Sequence, residues 1–254
     1  MEQVCGTRCI HARFGKTPRQ SKTMIFRVAV FLFTFAAAHA GTAASPSKVT
    51  RAEAMATAEI YRTLEWIPAA ANVLHGRDAS QIKVDTPDAG YKPAGGFHGW
   101  WMPGLLNTGM PYQWGGFDTP ETFLAGIIEG KAAGDVCTPE KRKLLDAAAS
   151  KHAVGIDCSG FVSRCWNLPR AYSTRTLTKL CDPVDDLTDL KPGDILNAPN
   201  SHVFLFKQWI APDRTRMLVY TTGTPPVWAV QIGPLRTRQM APLGYTAWRY
   251  RGMR

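Results

Sequence analysis

Metal-ligand and dithiol patterns are missing from this sequence. Its 254 residues contain six cysteines and six histidines, but no CxxC pair and no ligand-like interval between histidines. A structural zinc site is therefore not expected, and neither is CxxC redox chemistry. Clusters of Lys and Arg with interleaved aromatic residues are also missing, which argues against nucleic-acid binding. No metal and no organic cofactor is predicted.

The chain also lacks an apolar run that could span a membrane. The run from Val28 to Ala38 is shorter than the roughly 20 residues that a bilayer requires. It follows a short basic start at Arg27 and ends in small residues, which is the layout of a secretory signal peptide with cleavage after Ala40. We therefore expect export to the periplasm, the cell wall or the extracellular space, without stable membrane insertion afterwards.

Residues 41–254 contain no repeat, long linker or low-complexity segment. A chain of this length buries one core, so we expect one main domain over residues 110–254 with an N-terminal extension over residues 41–109. Residues 1–40 hold six of the 30 Lys and Arg and one of the 20 Asp and Glu, so without them the formal charge falls from +10 to +5. This mildly basic balance suits an anionic envelope surface, although a solvated basic face is commoner.

Helical patterns come before strand patterns along the chain. Three helices are predicted, over residues 51–67, 119–130 and 139–150. The first opens with a capping box, Thr50-x-x-Glu53, and the second with Thr119 as cap and Pro120 in the first turn. The segments 194–198, 202–210 and 216–222 are short and rich in β-branched and aromatic residues, which predicts strands. Helices followed by strands predict an α+β fold.

The segment GIDCSGFVSRCW, residues 155–166, contains two cysteines. Its apolar residues recur at helical spacing behind a polar Asp-Cys-Ser start, so a helix is expected to begin at or next to Cys158. The positive end of the helix dipole would then stabilise a Cys158 thiolate. Cys165 lies two turns further on and is interpreted as core packing. Two cysteines about 10 Å apart on one helix cannot form a disulfide with each other.

A base for a thiol nucleophile is available further along the chain. LKPGDILNAPNSHVFLF turns at Pro192-Gly193, forms a short strand, loops at residues 199–201 and begins the next strand with His202. A histidine at the start of a strand can face a helix N-terminus, as a Cys-His pair requires. A histidine in this position can also be purely structural.

The motifs PYQWGG, DCSGFV, LKPGDIL and HVFLF, in this order, resemble the NlpC family of bacterial cell-wall cysteine peptidases. The resemblance covers roughly residues 110–222. It implies a papain-like α+β core in which helices pack on a small antiparallel sheet and the catalytic cysteine begins a helix. It also implies hydrolysis of an amide bond in peptidoglycan stem peptides, such as the γ-D-glutamyl bond to the diamino acid.

The resemblance assigns roles to individual residues of this sequence. Cys158 corresponds to the nucleophile and His202 to its general base. Tyr112, Asp157 and Ser159 would line the pocket that holds the free amine of a stem peptide, and Tyr112 would also orient the thiolate. Peptidoglycan or a muropeptide is the expected partner, while the oligomeric state is not predicted.

The sequence departs from the family pattern in two places. The residue that orients the histidine is usually His, Asn, Gln or Glu, but the matching strand RMLVYTTG puts Tyr220 in this position, with Thr222 on the same face by strand alternation. The third catalytic role is therefore given to Tyr220 or Thr222. An insertion over residues 117–155 also separates the first two motifs, and its two predicted helices are expected to build one wall of the cleft.

Cys137 and Cys181 occur in polar segments, GDVCTPE and TKLCDPV, that flank the predicted active-site helix. A disulfide between them is one hypothesis, and it would close a loop of about 45 residues. Three reduced thiols are the alternative, since four cysteines permit several pairings.

Two other functions remain open at this stage. A papain-like amidase or acyltransferase could act on another amide or on a lipid ester, and an apolar groove lined by the tryptophans near residue 100 would favour it. A cell-wall-binding module without catalytic activity is the second alternative, although the presence of both Cys158 and His202 argues against it.

Overall fold

A computed structural model of the chain describes residues 47–93, 96–223 and 227–254. The predicted signal peptide and its cleavage site lie outside the described residues, as do Cys5 and Cys9. All described residues belong to one compact unit that extends from Ala44 to Arg254. In the part of the chain that the structure describes, no helix has both the length and the apolar character needed to cross a bilayer.

The described residues form four α-helices and twelve short strands. The helices are α1 (Arg51–Thr63), α2 (Pro120–Ile128), α3 (Pro139–Leu144) and α4 (Cys158–Cys165). The strands are β1 (Glu65–Trp66), β2 (His75–Arg77), β3 (Lys83–Asp85), β4 (Asn107–Thr108), β5 (Ala132–Ala133), β6 (Ala153–Val154), β7 (Cys181–Val184), β8 (Ile195–Ala198), β9 (His202–Trp209), β10 (Arg216–Thr221), β11 (Gln231–Arg236) and β12 (Thr246–Tyr250). Helices and mainly antiparallel sheets occur together, so the α+β prediction is confirmed.

The largest sheet has six strands in the order β11-β10-β9-β8-β12-β7, and each neighbouring pair is antiparallel. Helix α4 packs against β9. Trp166, which caps the C-terminus of α4, stacks on Tyr250 of β12 with 4.8 Å between ring centroids. Its indole N–H donates to the carbonyl oxygen of Gly193 at 2.9 Å. The C-terminal end of α4 is thereby fixed on the sheet.

Helix α1 begins as the sequence predicts. The Thr50 hydroxyl accepts from the backbone N–H of Glu53, and the Glu53 carboxylate accepts from the backbone N–H of Thr50. The helix ends at Thr63, earlier than predicted, because β1 and β4 pair immediately after it. Helix α1 packs on α4, so the N-terminal segment forms part of the core beside the helix that begins with Cys158.

Three aromatic rings pack around Trp66 of β1. Its ring contacts those of Trp100, Trp101 and Phe123 edge to face, at centroid distances of 6.0, 5.5 and 5.3 Å. Trp101 and Phe123 are fully buried. The tryptophans near residue 100 therefore join the N-terminal segment to α2.

The two predicted helices of the insertion differ in outcome. Helix α2 has Thr119 as its N-cap and Pro120 in its first turn, as predicted. The third helix is shorter than predicted, since α3 ends at Leu144 and a 3₁₀ turn follows. Leu145 has a φ of +53°, which an α-helix does not allow, and its carbonyl oxygen accepts from the Trp114 indole N–H at 3.0 Å.

A β-bulge interrupts the pairing of β9 with β10. Leu218 pairs with Gln208 and Val219 with Phe206, so Lys207 is the extra residue. The Lys207 ammonium group and the Tyr220 hydroxyl both donate to Oε1 of Glu59 on α1, at 2.5 Å each. The bulge thus turns Lys207 towards α1, where it fastens the sheet to that helix.

The Glu59 contacts predict a specific acid sensitivity. Burial alone would raise the pKa of Glu59, but hydrogen bonds from Lys207, Tyr220 and Arg62 outweigh burial and lower the pKa from its usual 4.5 to about 2. The folded state therefore gains stability from Glu59 above pH 4.5 and loses it as the pH falls towards 2. We expect Glu59→Gln to be less stable than wild type at pH 7, with the two converging near pH 2 in denaturant titrations. Glu65→Gln, at an exposed position in β1, is the control, and parallel curves for wild type and Glu59→Gln would contradict the prediction.

Candidate active site

Cys158 is the first residue of α4, as the sequence predicts. Its residue surface is 8% exposed, and the backbone of Val203 in β9 lies close enough to lower the pKa of its thiol. Asp157 is the N-cap and accepts from the backbone N–H of Gly160 at 2.5 Å. The packing of α4 on β9 therefore places the Cys158 thiol beside the first residues of β9.

His202 is the first residue of β9 and is half-buried. Its Nε2 is 2.8 Å from the hydroxyl oxygen of Thr221 in β10. Its ring meets that of Phe204 edge to face, with centroids 4.6 Å apart. The structure thus places the Thr221 hydroxyl against the imidazole and Cys158 beside Val203, the residue after His202. Among the described residues that line the cleft of Cys158, the loop before β9 is represented by Asn200 and Ser201, and His202 itself is not included.

The assignment of the orienting role to Tyr220 or Thr222 is wrong in this structure. The Tyr220 hydroxyl contacts Glu59, and the residue bonded to His202 is Thr221. The bulge at Lys207 explains the error, because it shifts the β10 side chains by one residue relative to β9. Tyr220 consequently pairs with Leu205 instead of Phe206, and its side chain moves to the opposite face from His202.

The three residues predicted to hold a substrate amine lie together. Tyr112, Asp157 and Ser159 all line one cleft with Cys158. The Ser159 hydroxyl donates to Oδ1 of Asp157 at 2.9 Å. Tyr112 is held by its backbone, whose N–H donates to the carbonyl oxygen of Trp228 at 2.7 Å.

The cleft has a volume of about 330 Å³. Its lining residues come from the segment before the insertion, the insertion itself, the start of α4, the segment after α4 and the loop before His202: Tyr112, Trp114, Gly115, Arg142, Leu145, Asp146, Asp157, Cys158, Ser159, Ser173, Thr174, Arg175, Asn200 and Ser201. Among the described residues, α3 and the turn after it form the wall predicted for the insertion, whereas α2 contributes nothing to it. Helix α2 instead packs its Phe123 ring on Trp66.

The predicted stabilisation of a Cys158 thiolate is not found. Burial and the neighbouring Asp157 carboxylate raise the pKa of the Cys158 thiol, whereas the backbone groups of Val203 and Ser159 lower it. The resulting pKa is about 12. The N-cap carboxylate thus offsets the helix dipole that the sequence argument relied on. Burial raises the pKa of Asp157 itself to about 6, so this group is mostly ionised at pH 7.

His202 is also neutral at pH 7. Burial lowers the pKa of its imidazole to about 4, and the Arg142 guanidinium lowers it as well. The unliganded site therefore contains a thiol and a neutral imidazole. An ion pair between Cys158 and His202 is not its resting state.

The proposed Cys137–Cys181 disulfide is contradicted, because all four described cysteines are free thiols. Cys181 begins β7, is buried, and donates from its sulfur to the carbonyl oxygen of Leu177 at 3.3 Å. Cys137 is half-buried and packs in the cluster of Tyr112, Val136 and Trp228. Neither cysteine is exposed, although both occur in polar segments of the sequence. Cys165 is 1% exposed, which confirms its place in the core.

Comparisons with known proteins do not identify a family for this chain. No protein-family model, no curated protein and no solved structure matches the chain. Within the described residues, no group of three His, Cys, Asp or Glu side chains is placed to hold a metal ion. The resemblance to the NlpC family therefore rests on the motifs and their order alone.

Sequence reasoning missed several residues of the site, including Thr221, Arg142, Arg175 and Asn200. Thr221 is next to Tyr220, the residue to which the sequence analysis gave the orienting role. No pattern in the sequence indicates the bulge at Lys207 that places Thr221 beside His202. Arg142 was included in a predicted cleft wall but received no role, because nothing in the sequence indicates that it reaches the loop before His202.

The high thiol pKa predicts how Cys158 reacts with an alkylating agent. The thiolate is the reactive form, so its rate of modification by iodoacetamide should be low at pH 7 and rise about 10-fold per pH unit up to pH 10. Peptide-resolved mass spectrometry separates Cys158 from the other cysteines, and circular dichroism verifies the fold at each pH. A rate that is already constant between pH 6 and pH 8 would show a preformed thiolate and contradict the neutral pair.

Proposed function

We propose that the protein is an exported thiol hydrolase that cleaves an amide bond in peptidoglycan stem peptides, such as the γ-D-glutamyl bond to the diamino acid. The observation that carries the proposal is the placement of Cys158 at the N-terminus of α4 against the start of β9, at an open cleft. Export rests on the signal-like segment at residues 24–40.

The arrangement of elements supports a papain-like core. A helix that begins with a cysteine packs on an antiparallel sheet, and the strand facing its N-terminus begins with a histidine. This is the arrangement that the order of the DCSGFV and HVFLF motifs implies. Nucleophile and base then come from two rigid elements rather than from loops.

His202 acts as the general base in this mechanism. We assign the proton of its neutral ring to Nε2, which donates to Thr221, so Nδ1 is the nitrogen that accepts a proton. Because the resting pair is neutral, the Cys158 proton passes to Nδ1 as the sulfur attacks the substrate carbonyl carbon. The backbone N–H of Cys158 and its neighbours at the helix start stabilise the oxyanion.

Attack of the sulfur gives a tetrahedral intermediate, and its collapse breaks the carbon–nitrogen bond of the substrate amide. The leaving amine takes the proton from the His202 imidazolium, and a thioester on Cys158 remains. Water then attacks the thioester, with its proton passing to His202, and the products are a free carboxylate and the regenerated thiol. Thr221 holds the imidazole in one orientation through both steps.

The amine pocket favours a substrate with a free ammonium group. Asp157 is mostly ionised at pH 7 and lies at the cleft with Tyr112 and Ser159. A carboxylate beside the nucleophile attracts an ammonium group. An unblocked stem peptide, with its N-terminal amine near the scissile bond, suits this arrangement.

The structure does not favour the amidase or acyltransferase alternative. An apolar groove lined by the tryptophans near residue 100 would favour that alternative, but Trp101 is fully buried and packs on Trp66. Among the described residues, Trp114 is the tryptophan that lines the cleft. The remaining alternative is a binding module, which would bind peptidoglycan without cleaving it. A turnover measurement therefore distinguishes it from a hydrolase.

The proposal predicts that turnover depends on both members of the pair. Cys158→Ala should abolish release of products from defined muropeptides, because no other group at the site forms the thioester. His202→Ala should lower the rate by about 10²- to 10⁴-fold, the range for loss of a general base. Products are identified by mass spectrometry.

Two variants serve as matched controls for these substitutions. Cys165→Ala removes the buried cysteine from the same helix, and His152→Ala removes an exposed histidine. Both should keep turnover, although Cys165→Ala should lower stability. Undiminished turnover in Cys158→Ala, or none in folded wild type with stem peptides that differ in length and diamino acid, would refute the proposal.

A second prediction separates Thr221 from its neighbour. Thr221→Val should lower kcat roughly 2- to 10-fold, the effect of one neutral hydrogen bond of about 1 kcal/mol. Thr221→Ser keeps the hydroxyl and should restore most of the rate. Tyr220→Phe should lower the stability of the fold but leave kcat unchanged, because Tyr220 contacts Glu59. If Tyr220→Phe lowers kcat and Thr221→Val leaves it unchanged, the residue that orients His202 is Tyr220 and the prediction is wrong.

A further inference from the structure

Arg142 joins the insertion to the loop that precedes His202. Its Nη1 group lies 3.1 Å from the carbonyl oxygen of Asn200 and 3.4 Å from that of Ser201. These are the two residues immediately before His202. A guanidinium group that donates to both carbonyls restricts the backbone from which β9 and its histidine begin.

The position of Arg142 is itself fixed by the residue before it. Lys141 forms an ion pair with Asp135, and the exposed fractions of the two side chains are 3% and 0%. The Lys141 ammonium group also donates to the carbonyl oxygen of Lys83 at 2.7 Å. Breaking a buried pair by removing one partner is costly, so α3 has little freedom to move relative to β3. Arg142 therefore extends from a rigid element.

The loop before His202 is held from a second direction. The backbone N–H of Asn200 donates to the Thr174 hydroxyl at 3.1 Å, and the N–H of Ser201 donates to the carbonyl oxygen of Ala198 at 3.1 Å. Asn200 has a φ of +59°, a conformation that non-glycine residues adopt uncommonly and that surrounding contacts must maintain. Arg142 and Thr174 approach this turn through different backbone groups.

We propose that Arg142 is a positioning residue for His202, which places the insertion at residues 117–155 in control of the catalytic base through the carbonyl groups of Asn200 and Ser201. The kinetic consequence rests on the proposed function. The consequences for the loop and for the imidazole do not, because they are properties of the unliganded protein.

The charge of Arg142 provides a readout that a purely structural contact would not affect. Burial is the larger cause of the low His202 pKa, and the Arg142 guanidinium adds to it. Among the described residues, Arg142 also lowers the pKa of Tyr112, Cys137 and Tyr245. Burial raises the pKa of Tyr245 and of Cys158 to about 12. Both are therefore neutral at pH 7, and Asp157 acts on Cys158 from the N-cap of α4. Removing the guanidinium should raise the His202 pKa.

The test compares Arg142→Gln and Arg142→Lys with Lys143→Gln in the full-length mature protein. Lys143→Gln removes the same charge from the next residue of α3, which is exposed, and serves as the control. Nuclear magnetic resonance titration gives the His202 pKa, with the signal assigned by its loss in His202→Gln. Amide hydrogen exchange reports on Asn200 and Ser201, and muropeptide turnover gives kcat and KM.

Arg142→Gln should raise the His202 pKa, speed amide exchange at Asn200 and Ser201, and lower kcat about 10-fold with a smaller change in KM. Arg142→Lys should keep the pKa close to wild type, because the charge remains, but should show faster exchange, because one ammonium group replaces the guanidinium fork. Lys143→Gln should behave like wild type in all three measurements.

A His202 pKa and exchange rates in Arg142→Gln that match those of Lys143→Gln would overturn the proposal. A rise in KM with an unchanged His202 pKa would also overturn it, because it would make Arg142 a substrate-binding residue. If folded wild type cleaves no muropeptide, the proposed function fails, and the titration and exchange measurements still decide the role of Arg142.

Discussion

The face on which each β10 side chain lies depends on one extra residue in β9. Lys207 is not paired with any β10 residue in the strand register, and its ammonium group is held by Glu59 of α1. Because of this bulge, Tyr220 points to the α1 side of the sheet and Thr221 to the side of His202. The same residue therefore fastens the first helix to the sheet and selects the partner of His202. Both effects would be lost in a regular pairing of β9 with β10.

The segments on either side of the main motifs are structural parts of the site. Helix α1 packs on α4 and supplies Glu59, while Trp66 after it buries the tryptophans near residue 100. The insertion supplies the cleft wall at Arg142 and Leu145. The N-terminal segment and the insertion are thus two additions to the core that carries the motifs. The first contacts the helix of Cys158, and the second contacts the loop before His202.

Local chemistry was predictable from the sequence, and long-range chemistry was not. The caps Thr50 and Thr119, the start of α4 at Cys158 and the start of β9 at His202 follow from short-range rules about helix ends and strand patterns. The thiol pKa depends on burial and on a carboxylate that the helix rule ignores. The role of Thr221 depends on a bulge, and the free state of Cys181 depends on where β7 joins the sheet. These properties arise only when distant segments come together.

Burial of the cysteines has a consequence for the order of folding and oxidation. The pKa of each described thiol is raised, chiefly by burial. Disulfide exchange proceeds through thiolates, so at neutral pH the folded chain reacts slowly with oxidants. Before folding, the same thiols titrate near their ordinary pKa and exchange readily. In an oxidising compartment, rapid burial of α4 and β7 would therefore protect the chain from mispaired disulfides, and slow folding would expose Cys158 to disulfide formation with the other cysteines.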